Sequence, residues 1–422
     1  MNSLKNLLSV LVVLSLLIGC SSQEQTNEVV ESRVIDQTAI SRLDSLLINY
    51  VDVGNVAGIS ALIIEKGEEA YFKAYGYADM EEEQPMERST LVTIYSMTKP
   101  ITGVSLMQLH EQGLFELDDP LSKYAPEFEG IQVAVGEDDN GELILEDPIR
   151  PMTIRDLTRH TGGLGNPKNL ESLDQIFSAN DPMNFDNTLS EMAARFAQTP
   201  LGYHPGERWM YGPSVDMQAF LVEKISATPY QEYVRNNVLD PLGLTTMRYF
   251  VPEEDRANMA EIYRKEGDSL TRLPEGVHAL NYNQVALTPG GWGLTATIDD
   301  YSTFAQMLLN KGTFNGVQIL KPETVDLMAT NQLADSVTER MWLPSKGRVG
   351  FGIDFAVRVE EAQGPDEKVG AVGEFFWDGA ASTLFWVDPE NELTAVLFVQ
   401  IFPFDNRLHK DIRDAVYGKW SN

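Results

Sequence analysis

Hydrophobic positions along the chain follow two different periods. Apolar residues recur at helical spacing over residues 40–50 and predict an amphipathic helix. Residues 57–76 carry apolar and aromatic side chains on both sides of a turn signal at residues 66–68, which is typical of two antiparallel strands. A sheet is therefore expected to begin early in the chain.

The rest of the chain divides into a helical part and a second group of strands. The helical period predicts helices at residues 101–112, 153–160, 189–198, 214–226, 231–239 and 298–309. The later pattern predicts strands at 351–357, 372–377, 382–387 and 393–400, and a closing helix at 405–419. This order predicts an α+β fold with a central antiparallel sheet flanked by helices. A large, mostly helical lobe, about residues 98–310, is inserted between the first and last strands.

The first residues have the pattern of a cleaved signal. Lys5 is followed by an apolar run, residues 7–18, that is shorter than the ~20 residues of a membrane-spanning helix. The segment that ends at Cys20 resembles the bacterial lipobox, whose cysteine is lipidated and becomes the first residue of the mature protein. The alternative is an ordinary secretory signal with an incidental cysteine.

Three regions are predicted on this basis: a lipoprotein signal peptide at 1–19, a flexible tether at 20–39 and one folded domain at 40–422. The tether prediction depends on a polar composition with little apolar periodicity. We expect a bacterial cell-envelope protein, held to a membrane through a lipid on Cys20 and facing the periplasm or the exterior.

Composition and charge restrict the partners. The chain has 63 Asp and Glu against 32 Lys and Arg, for a net charge of −31, which repels phosphate backbones and argues against a nucleic-acid partner. A single cysteine cannot form an intramolecular disulfide or a cysteine-rich metal site. The acidic segment 136–142 is predicted to be a hairpin turn, with a calcium loop as the weaker alternative. No metal and no cofactor are expected.

One motif of nucleophilic catalysis stands out. Gly-x-Ser-x-Gly and His-Glu-x-x-His are absent, whereas Ser96 and Lys99 form a Ser-x-x-Lys. The apolar run that follows indicates that Ser96 opens a buried helix, and residues three apart share a helix face. A lysine removed from water shifts toward its neutral form and can take the proton of a serine hydroxyl. The alternative is an N-cap serine beside a surface lysine.

Further segments complete a resemblance to the serine β-lactamase and penicillin-binding-protein superfamily, in which Ser-x-x-Lys is the nucleophile motif. Residues 152–164 resemble the Thr-x-Arg-Asp-Leu-Leu-x-His-Thr-Ser-Gly-Leu segment of class C β-lactamases and family VIII carboxylesterases. Residues 205–214 resemble the stretch that carries their catalytic tyrosine, and residues 290–300 resemble a glycine-rich turn followed by a helix. The resemblance implies a β-lactamase-like fold over about residues 40–420.

The resemblance also implies roles for individual residues. Ser96 would be the acylated nucleophile, Lys99 its proton partner, and Tyr211 a second base that moves the proton between nucleophile, leaving group and water. A tyrosine needs a nearby cation to act as a base, and Lys99 is the candidate. The alternative for Tyr211 is a core aromatic whose hydroxyl is bonded to the backbone.

The third motif departs from that of a β-lactamase. Residues 374–381 stand where the superfamily has Lys-Thr-Gly, so that Trp377 replaces the cation that would hold a β-lactam carboxylate. Family VIII esterases carry a Trp-x-Gly type of sequence here, and the departure favours them. The same alignment implies an oxyanion hole formed by the backbone N–H groups of Ser96 and Ala380, with Gly379 allowing close approach.

A second departure is Pro213, which stands where β-lactamases have the asparagine of Tyr-x-Asn. The stretch His160-Thr161-Gly162 is not the third motif, because it precedes Tyr211 and follows a helix. The residues expected to line the substrate pocket, with simple packing as the alternative for the aromatic ones, are Trp209, Trp292, Phe376, Trp377 and Gly379.

The sequence thus predicts a serine hydrolase that cleaves small carboxylic esters, and so acts on a small-molecule ester or amide, through an acyl-enzyme on Ser96. One alternative is a β-lactamase or D,D-peptidase that acts on β-lactams or peptidoglycan peptides. The other is a non-catalytic envelope protein that uses the fold as a binding surface.

Overall fold

Strands from the two ends of the chain lie side by side in one sheet. The computed structural model describes residues 33–419. Within them, strand Gly58–Glu65 pairs antiparallel with strand Leu393–Val399, with Ile59 opposite Val399. The strands are β1 Gly58–Glu65, β2 Glu68–Asp79, β3 Gln84–Pro85, β4 Val92–Thr93, β5 Val133–Glu137, β6 Leu143–Glu146, β7 Tyr263–Glu266, β8 Ser269–Arg272, β9 Thr295–Ala296, β10 Thr313–Phe314, β11 Val317–Gln318, β12 Val349–Phe351, β13 Ala356–Arg358, β14 Phe375–Asp378, β15 Leu384–Asp388, β16 Leu393–Val399 and β17 Ile401–Phe402.

The central sheet of the described chain has eight strands in the order β12-β13-β14-β15-β16-β1-β2-β3. Each neighbouring pair in it is antiparallel. The remaining strands form small sheets around it, such as β5 with β6 and β4 with β9. The predicted α+β fold with a central antiparallel sheet is confirmed.

Helices cover both faces of this sheet. They are α1 Gln37–Asp52, α2 Lys99–Glu111, α3 Ile154–Thr158, α4 Glu171–Asn180, α5 Leu189–Phe196, α6 Ser214–Ser226, α7 Tyr230–Val234, α8 Asp240–Leu242, α9 Ala279–Tyr282, α10 Ile298–Leu309, α11 Pro322–Met328 and α12 Asn406–Tyr417. Phe385 and Trp386 are adjacent in β15 and so point to opposite faces. The Phe385 ring lies 5.0 Å from that of Tyr301 in α10, whereas Trp386 Nε1 donates to the Tyr417 hydroxyl in α12 at 2.9 Å. The strand is consequently buried on both sides.

Most of the predicted helices of the inserted lobe are present. α6 and α10 have the predicted bounds, and the helix predicted at residues 231–239 is α7 followed by a π-helical turn, Arg235–Leu239. The sequence pattern does not predict α4. Leu173 is the buried residue of that helix, so its apolar face is too narrow to give a periodic signal.

The single strand predicted at residues 351–357 is wrong. The structure has two short antiparallel strands there, β12 and β13, joined by a tight turn in which Gly352 N–H donates to Phe355 O at 2.8 Å. Asp354 adopts a left-handed backbone conformation in this turn, with φ of 60°. Its buried carboxyl accepts a hydrogen bond from Gln218 Nε2 at 2.9 Å, so a contact with α6 holds the reversal.

The folded domain begins before the predicted boundary at residue 40. Asp36 caps α1 by accepting from Ala39 N–H at 2.7 Å. The Val34 and Ile35 N–H groups both donate to the carboxylate of Glu65 in β1, at 2.5 and 3.2 Å. The end of the predicted tether is therefore part of the fold. The predicted signal peptide and Cys20 lie outside the described residues.

The acidic segment 136–142 is a hairpin turn, as predicted, between β5 and β6. Asp138 makes the turn by accepting from the backbone N–H groups of Asn140 and Glu142, at 2.8 and 2.9 Å. No group of three or more metal-ligating His, Cys, Asp or Glu side chains is found in residues 33–419. Over the same residues, none of the helices has both the length and the apolar composition of a membrane span.

Candidate active site

Ser96 lies in a 3-10 turn, Tyr95–Thr98, that continues directly into α2. α2 packs against α6 and is buried along most of its length, which fixes the turn against the core. Lys99 is the first residue of α2, and its Nζ donates to Ser96 Oγ at 3.2 Å. The amine therefore lies beside the hydroxyl, as the spacing of the two residues predicts.

The Lys99 side chain is only 4% exposed and is held by a backbone carbonyl. Its Nζ donates to Gly291 O at 2.6 Å. A Cβ at position 291 would lie 3.1 Å from Lys99 Nζ, so the glycine lets the main chain approach the amine. Asp216 accepts from Gly291 N–H at 2.9 Å on the far side. Burial raises the pKa of Asp216, and the charge of Lys99 opposes this effect. The predicted glycine-rich turn thus positions the amine.

Tyr211 lies on a third side of this cluster. Lys99 Nζ is 4.6 Å from the centre of the Tyr211 ring. The Tyr211 hydroxyl accepts a hydrogen bond from Trp377 Nε1 at 3.3 Å. The rings of His160 and Trp342 pack around it, with centroids 4.7 and 5.1 Å from that of Tyr211. A hydroxyl, an amine and a phenol from distant parts of the sequence meet here.

The segment 152–164 fixes the backbone next to Tyr211. Met210 N–H donates to His160 O at 2.9 Å. The His160 side chain is fully buried, and neither ring nitrogen has a hydrogen-bond partner in the described part of the chain. Burial, together with the charge of Lys99, holds the pKa of His160 well below its ordinary value. A neutral imidazole therefore packs against the phenol.

Ser96 and Tyr211 both line a cavity of about 420 Å³. Lys346, Asp378 and Asn406 form a polar side of its wall, and the rings of Trp342 and Phe404 form an apolar side. Ala380 and Ser345 also line it. A small ester fits a cavity of this size, in which apolar side chains surround a few polar groups.

Ala380 follows β14 and lines this cavity with Ser96. Among residues 33–419, the Ala380 N–H makes no hydrogen bond. Gly379 brings β14 against the turn that carries Ser96, because a Cβ there would lie 2.6 Å from Ile94 O. An unpaired N–H is thus placed at the cavity, where the sequence predicted a donor of the oxyanion hole.

The residues predicted to line the substrate pocket lie elsewhere. Trp377 and Trp209 are buried beside Tyr211, with ring centroids 5.5 and 6.0 Å from it. Trp292 packs on Phe185, and none of these side chains lines the cavity at Ser96. The remaining predicted residues, Phe376 and Gly379, are also buried and outside the cavity wall.

Strand alternation explains the position of Trp377. Neighbouring residues of a strand point to opposite sides, so in β14 Trp377 faces Tyr211 and Asp378 faces the cavity. All four residues of β14 are buried, so the strand has no alternation of buried and exposed positions that could reveal this from the sequence. The prediction that Trp377 lines the substrate pocket is therefore wrong for the cavity at Ser96. Trp377 instead donates a hydrogen bond to Tyr211.

Sequence reasoning also missed a buried ion pair in the cavity. Lys346 Nζ donates to Asp378 Oδ2, and both side chains are nearly inaccessible. The ammonium lies 4.4 Å from the Phe404 ring, 5.0 Å from the Trp342 ring and 5.5 Å from the Trp377 ring. Lys346 ends a 3-10 turn, Leu343–Lys346, in a stretch without any recognisable motif. A cation is therefore present at the cavity although Trp377 stands in the third motif.

A second cavity, of about 240 Å³, shares Tyr211 with the first. Its walls are mainly apolar and include Leu164, Phe177, Phe196 and Pro213. Pro213, which replaces the asparagine of β-lactamases, thus faces an apolar space. Tyr211 forms a common wall between this cavity and the one at Ser96.

Comparisons with known proteins agree with this fold and arrangement. Residues 43–418 match the beta-lactamase family. An uncharacterized protein of Mycobacterium tuberculosis is 32% identical, over 87% of this chain and 90% of the relative. The lovastatin esterase of Penicillium rubens is 26% identical, over 90% of this chain and 98% of the esterase. The solved structure of EstCE1, described as a hydrolase with promiscuous acyltransferase activity, has a TM-score of 0.72 at 25% identity and covers 91% of this chain and 100% of its own.

The chain belongs to the beta-lactamase family. Its fold is the β-lactamase-like fold, and the resemblance to the serine β-lactamase and penicillin-binding-protein superfamily is confirmed. The relatives include an esterase and a hydrolase with promiscuous acyltransferase activity.

Proposed function

We propose that the protein hydrolyses small carboxylic esters through an acyl-enzyme on Ser96. One observation carries the proposal: Lys99 Nζ lies 3.2 Å from Ser96 Oγ and 4.6 Å from the centre of the Tyr211 ring, beside a cavity of about 420 Å³. The lovastatin esterase and EstCE1 support a hydrolytic activity by their similarity.

Acylation begins at Ser96 in this proposal. The neutral amine of Lys99 takes the Ser96 proton as Oγ forms a bond to the ester carbonyl carbon. The oxyanion that develops accepts from the N–H groups of Ser96 and Ala380, and preorganised donors of this kind contribute strongly to acyl transfer. The bond to the alcohol oxygen then breaks, and the Tyr211 hydroxyl gives its proton to the leaving alkoxide. This step leaves a Lys99 ammonium beside a Tyr211 phenolate.

Deacylation reverses the proton path. The Tyr211 phenolate takes a proton from a water molecule as the water oxygen bonds to the acyl carbon. The bond to Ser96 Oγ breaks, the Lys99 ammonium returns its proton to that oxygen, and a carboxylic acid leaves. The burial of Lys99 and its position over the Tyr211 ring support this use of the phenol, because a nearby cation stabilises a phenolate.

The second candidate function is that of a β-lactamase or D,D-peptidase. Its specific support is Lys346, since the sequence argued against this activity from the lack of a cation at the third motif. The substitution at Pro213 still favours the ester, because the wall there is apolar. A non-catalytic binding role is a weaker candidate, since Ser96, Lys99 and Tyr211 all remain together.

Turnover of two chromogenic substrates separates these candidates. We expect the purified protein to hydrolyse p-nitrophenyl butyrate, and the Ser96→Ala variant to lose this activity. Efficient turnover of a chromogenic cephalosporin without ester cleavage would establish the second candidate instead. A folded protein that turns over neither substrate would favour the binding role.

We also propose a membrane anchor from the sequence of the first residues. The lipobox-like segment predicts a diacylglyceryl group on Cys20 and a place in the bacterial cell envelope. Growth with labelled palmitate should label the wild-type protein and leave the Cys20→Ala variant unlabelled. Equal labelling of both proteins would exclude an anchor at this cysteine.

A further inference from the structure

We propose that the Ser96 cavity binds a substrate carboxylate at the wall formed by Lys346, Ser345 and Asn406. The preferred esters would then carry a free carboxylate in addition to the ester group. This inference depends on the proposed ester hydrolysis and names the substrate class of that same site.

The first observation that supports a carboxylate site is a set of unused hydrogen-bond donors at the cavity wall. An ammonium has three donors, and the only partner of Lys346 Nζ among the described residues is Asp378. The Ser345 hydroxyl and the Asn406 amide nitrogen also donate to no other group in residues 33–419, and both residues line the cavity. A carboxylate accepts several hydrogen bonds at once, and charged partners make these bonds shorter and stronger.

The charges behind this wall are the second support. Lys368 Nζ donates to Ser345 O at 2.7 Å and to Asn406 Oδ1 at 2.5 Å, so it joins the two sides of the wall. Burial lowers the pKa of Lys368 to about 7, with the charges of Lys346 and Arg413 acting in the same direction and that of Asp378 against them. The main charges that act on Lys368 are thus three cations, Lys346, Arg413 and Arg358, against one carboxylate, Asp378, although the whole chain carries −31.

Two ion pairs beyond Lys368 add to this balance. Glu374 accepts from Arg358 at 2.8 Å and from Arg413 at 2.7 Å, and all three side chains are fully buried. Two guanidinium groups thus share one carboxylate. An anion that enters the cavity offsets this excess of positive charge.

The position of Lys346 is fixed before a ligand arrives. Asp378 holds the ammonium from one side, and the rings of Phe404 and Trp342 lie within 5.0 Å of it. Water is largely excluded from a lysine that is 3% exposed, so its attraction for an anion is less screened than at the surface. Lys346 is therefore a specificity-determining residue in this inference.

Two pairs of matched esters test the inference in the wild-type protein. In the first pair the carboxylate is on the acyl half: mono-p-nitrophenyl glutarate is compared with p-nitrophenyl pentanoate. In the second it is on the alcohol half: p-acetoxybenzoate is compared with p-acetoxybenzamide. We expect kcat/KM to be about 10- to 100-fold higher for the carboxylate in at least one pair, as for a hydrogen bond to a charged group. Ratios at or below one in both pairs would overturn the inference.

The Lys346→Met variant tests the residue itself, with Lys73→Met on the exposed side of β2 as the matched control. The ratio of the two kcat/KM values in the preferred pair should fall about tenfold or more in Lys346→Met and stay constant in Lys73→Met. The neutral ester corrects the ratio for any general loss of active enzyme. A full preference retained without Lys346 would contradict the inference.

An inhibition experiment and the pattern of ester cleavage keep this inference separate from the proposed function. If Lys346→Met fails to fold, inhibition of the wild type decides: monoamide glutarate should inhibit competitively and glutaramide should not, and equal inhibition would reject the inference. If the neutral esters are cleaved without any carboxylate preference, only the inference fails. If no ester is cleaved at all, the proposed function fails.

Discussion

Lys99 meets Tyr211 at the face of its ring and not at its hydroxyl. Lys99 Nζ lies 4.6 Å from the ring centre, whereas the Tyr211 hydroxyl accepts from Trp377 Nε1 at 3.3 Å. The N–H groups of Lys99 are directed at Ser96 Oγ and Gly291 O. A single buried amine thus contacts both the proposed nucleophile and the proposed second base.

Removal of this amine should suppress catalysis. We expect Lys99→Met to lower kcat for a p-nitrophenyl ester by about a hundred- to ten-thousand-fold, because Ser96 then lacks a group that accepts its proton. Steady-state kinetics measure the change. Lys73→Met, an exposed substitution on β2, should retain wild-type kcat. A Lys99→Met protein with more than half of the wild-type kcat would rule out the assigned role.

The Tyr211 hydroxyl and its hydrogen-bond donor can be tested separately. Tyr211→Phe keeps the ring above Lys99 but removes the proposed base, and kcat should fall at least about a hundredfold. Trp377→Phe removes the N–H donated to Tyr211 together with part of a fully buried ring but keeps the proposed base, so a loss of about tenfold or less is expected. The two kcat values, measured over a range of pH, decide the question. Equal losses in both variants would indicate that the hydroxyl matters only for packing.

Gly379 should be intolerant of a side chain. A Cβ at this position would lie 2.2 Å from Thr383 Oγ1 and 2.6 Å from Ile94 O, so β14 would move away from the turn that carries Ser96. Gly379→Ala should cost about 1–3 kcal/mol of unfolding free energy and lower kcat as Ala380 shifts. Gly364→Ala, with no atom within 4 Å of the added Cβ, is the control. Denaturant unfolding that finds both variants as stable as the wild type would contradict the packing described here.

Buried histidine should make the fold sensitive to mild acid. Burial lowers the pKa of His409 from 6.5 to about 3, and its Nε2 bonds to Ser382 O at 2.9 Å. Between about pH 6.5 and pH 3, His409 therefore binds a proton in the unfolded chain but not in the folded chain. Above about pH 6.5 this group does not lower the unfolding free energy. As the pH drops toward 3, the unfolding free energy falls by up to ~1.4 kcal/mol per pH unit because of His409 alone.

Denaturant unfolding at pH 7, 6 and 5 measures that slope. The buried His160, whose pKa is also lowered by burial, adds a second contribution of the same sign. His409→Gln should reduce the slope. An unfolding free energy that stays constant from pH 7 to pH 5 in the wild type would contradict this assignment.

The local periodicity of apolar residues predicts the elements in which it matches the buried face. α6 and α10 are apolar on a wide face, and β16 is buried on both sides, so the pattern of apolar residues marks their bounds. The turn at Asp354 is not evident from the sequence, because Ile353 and Phe355 continue the apolar pattern on either side of it. The contact that holds the reversal comes from Gln218 in the distant helix α6. Tertiary contacts of this kind leave no periodic signal.

The active-site residues also differ in whether local sequence or tertiary contacts determine their positions. The spacing of Ser96 and Lys99 predicts their contact from local geometry alone. Tyr211 was identified through resemblance, since nothing in its own segment indicates that it reaches Lys99. Lys346 was not identified, because a turn without a motif becomes part of the cavity only when the strands after it fold against β14 and β15.

A covalent adduct on Ser96 is the most direct test of the central claim. The purified protein, treated with a fluorophosphonate probe and digested, should give a modified peptide that contains Ser96 in mass spectrometry, and the Ser96→Ala variant should give none. Labelling that persists in Ser96→Ala, or a folded wild-type protein that resists the probe entirely, would show that this hydroxyl is not the nucleophile.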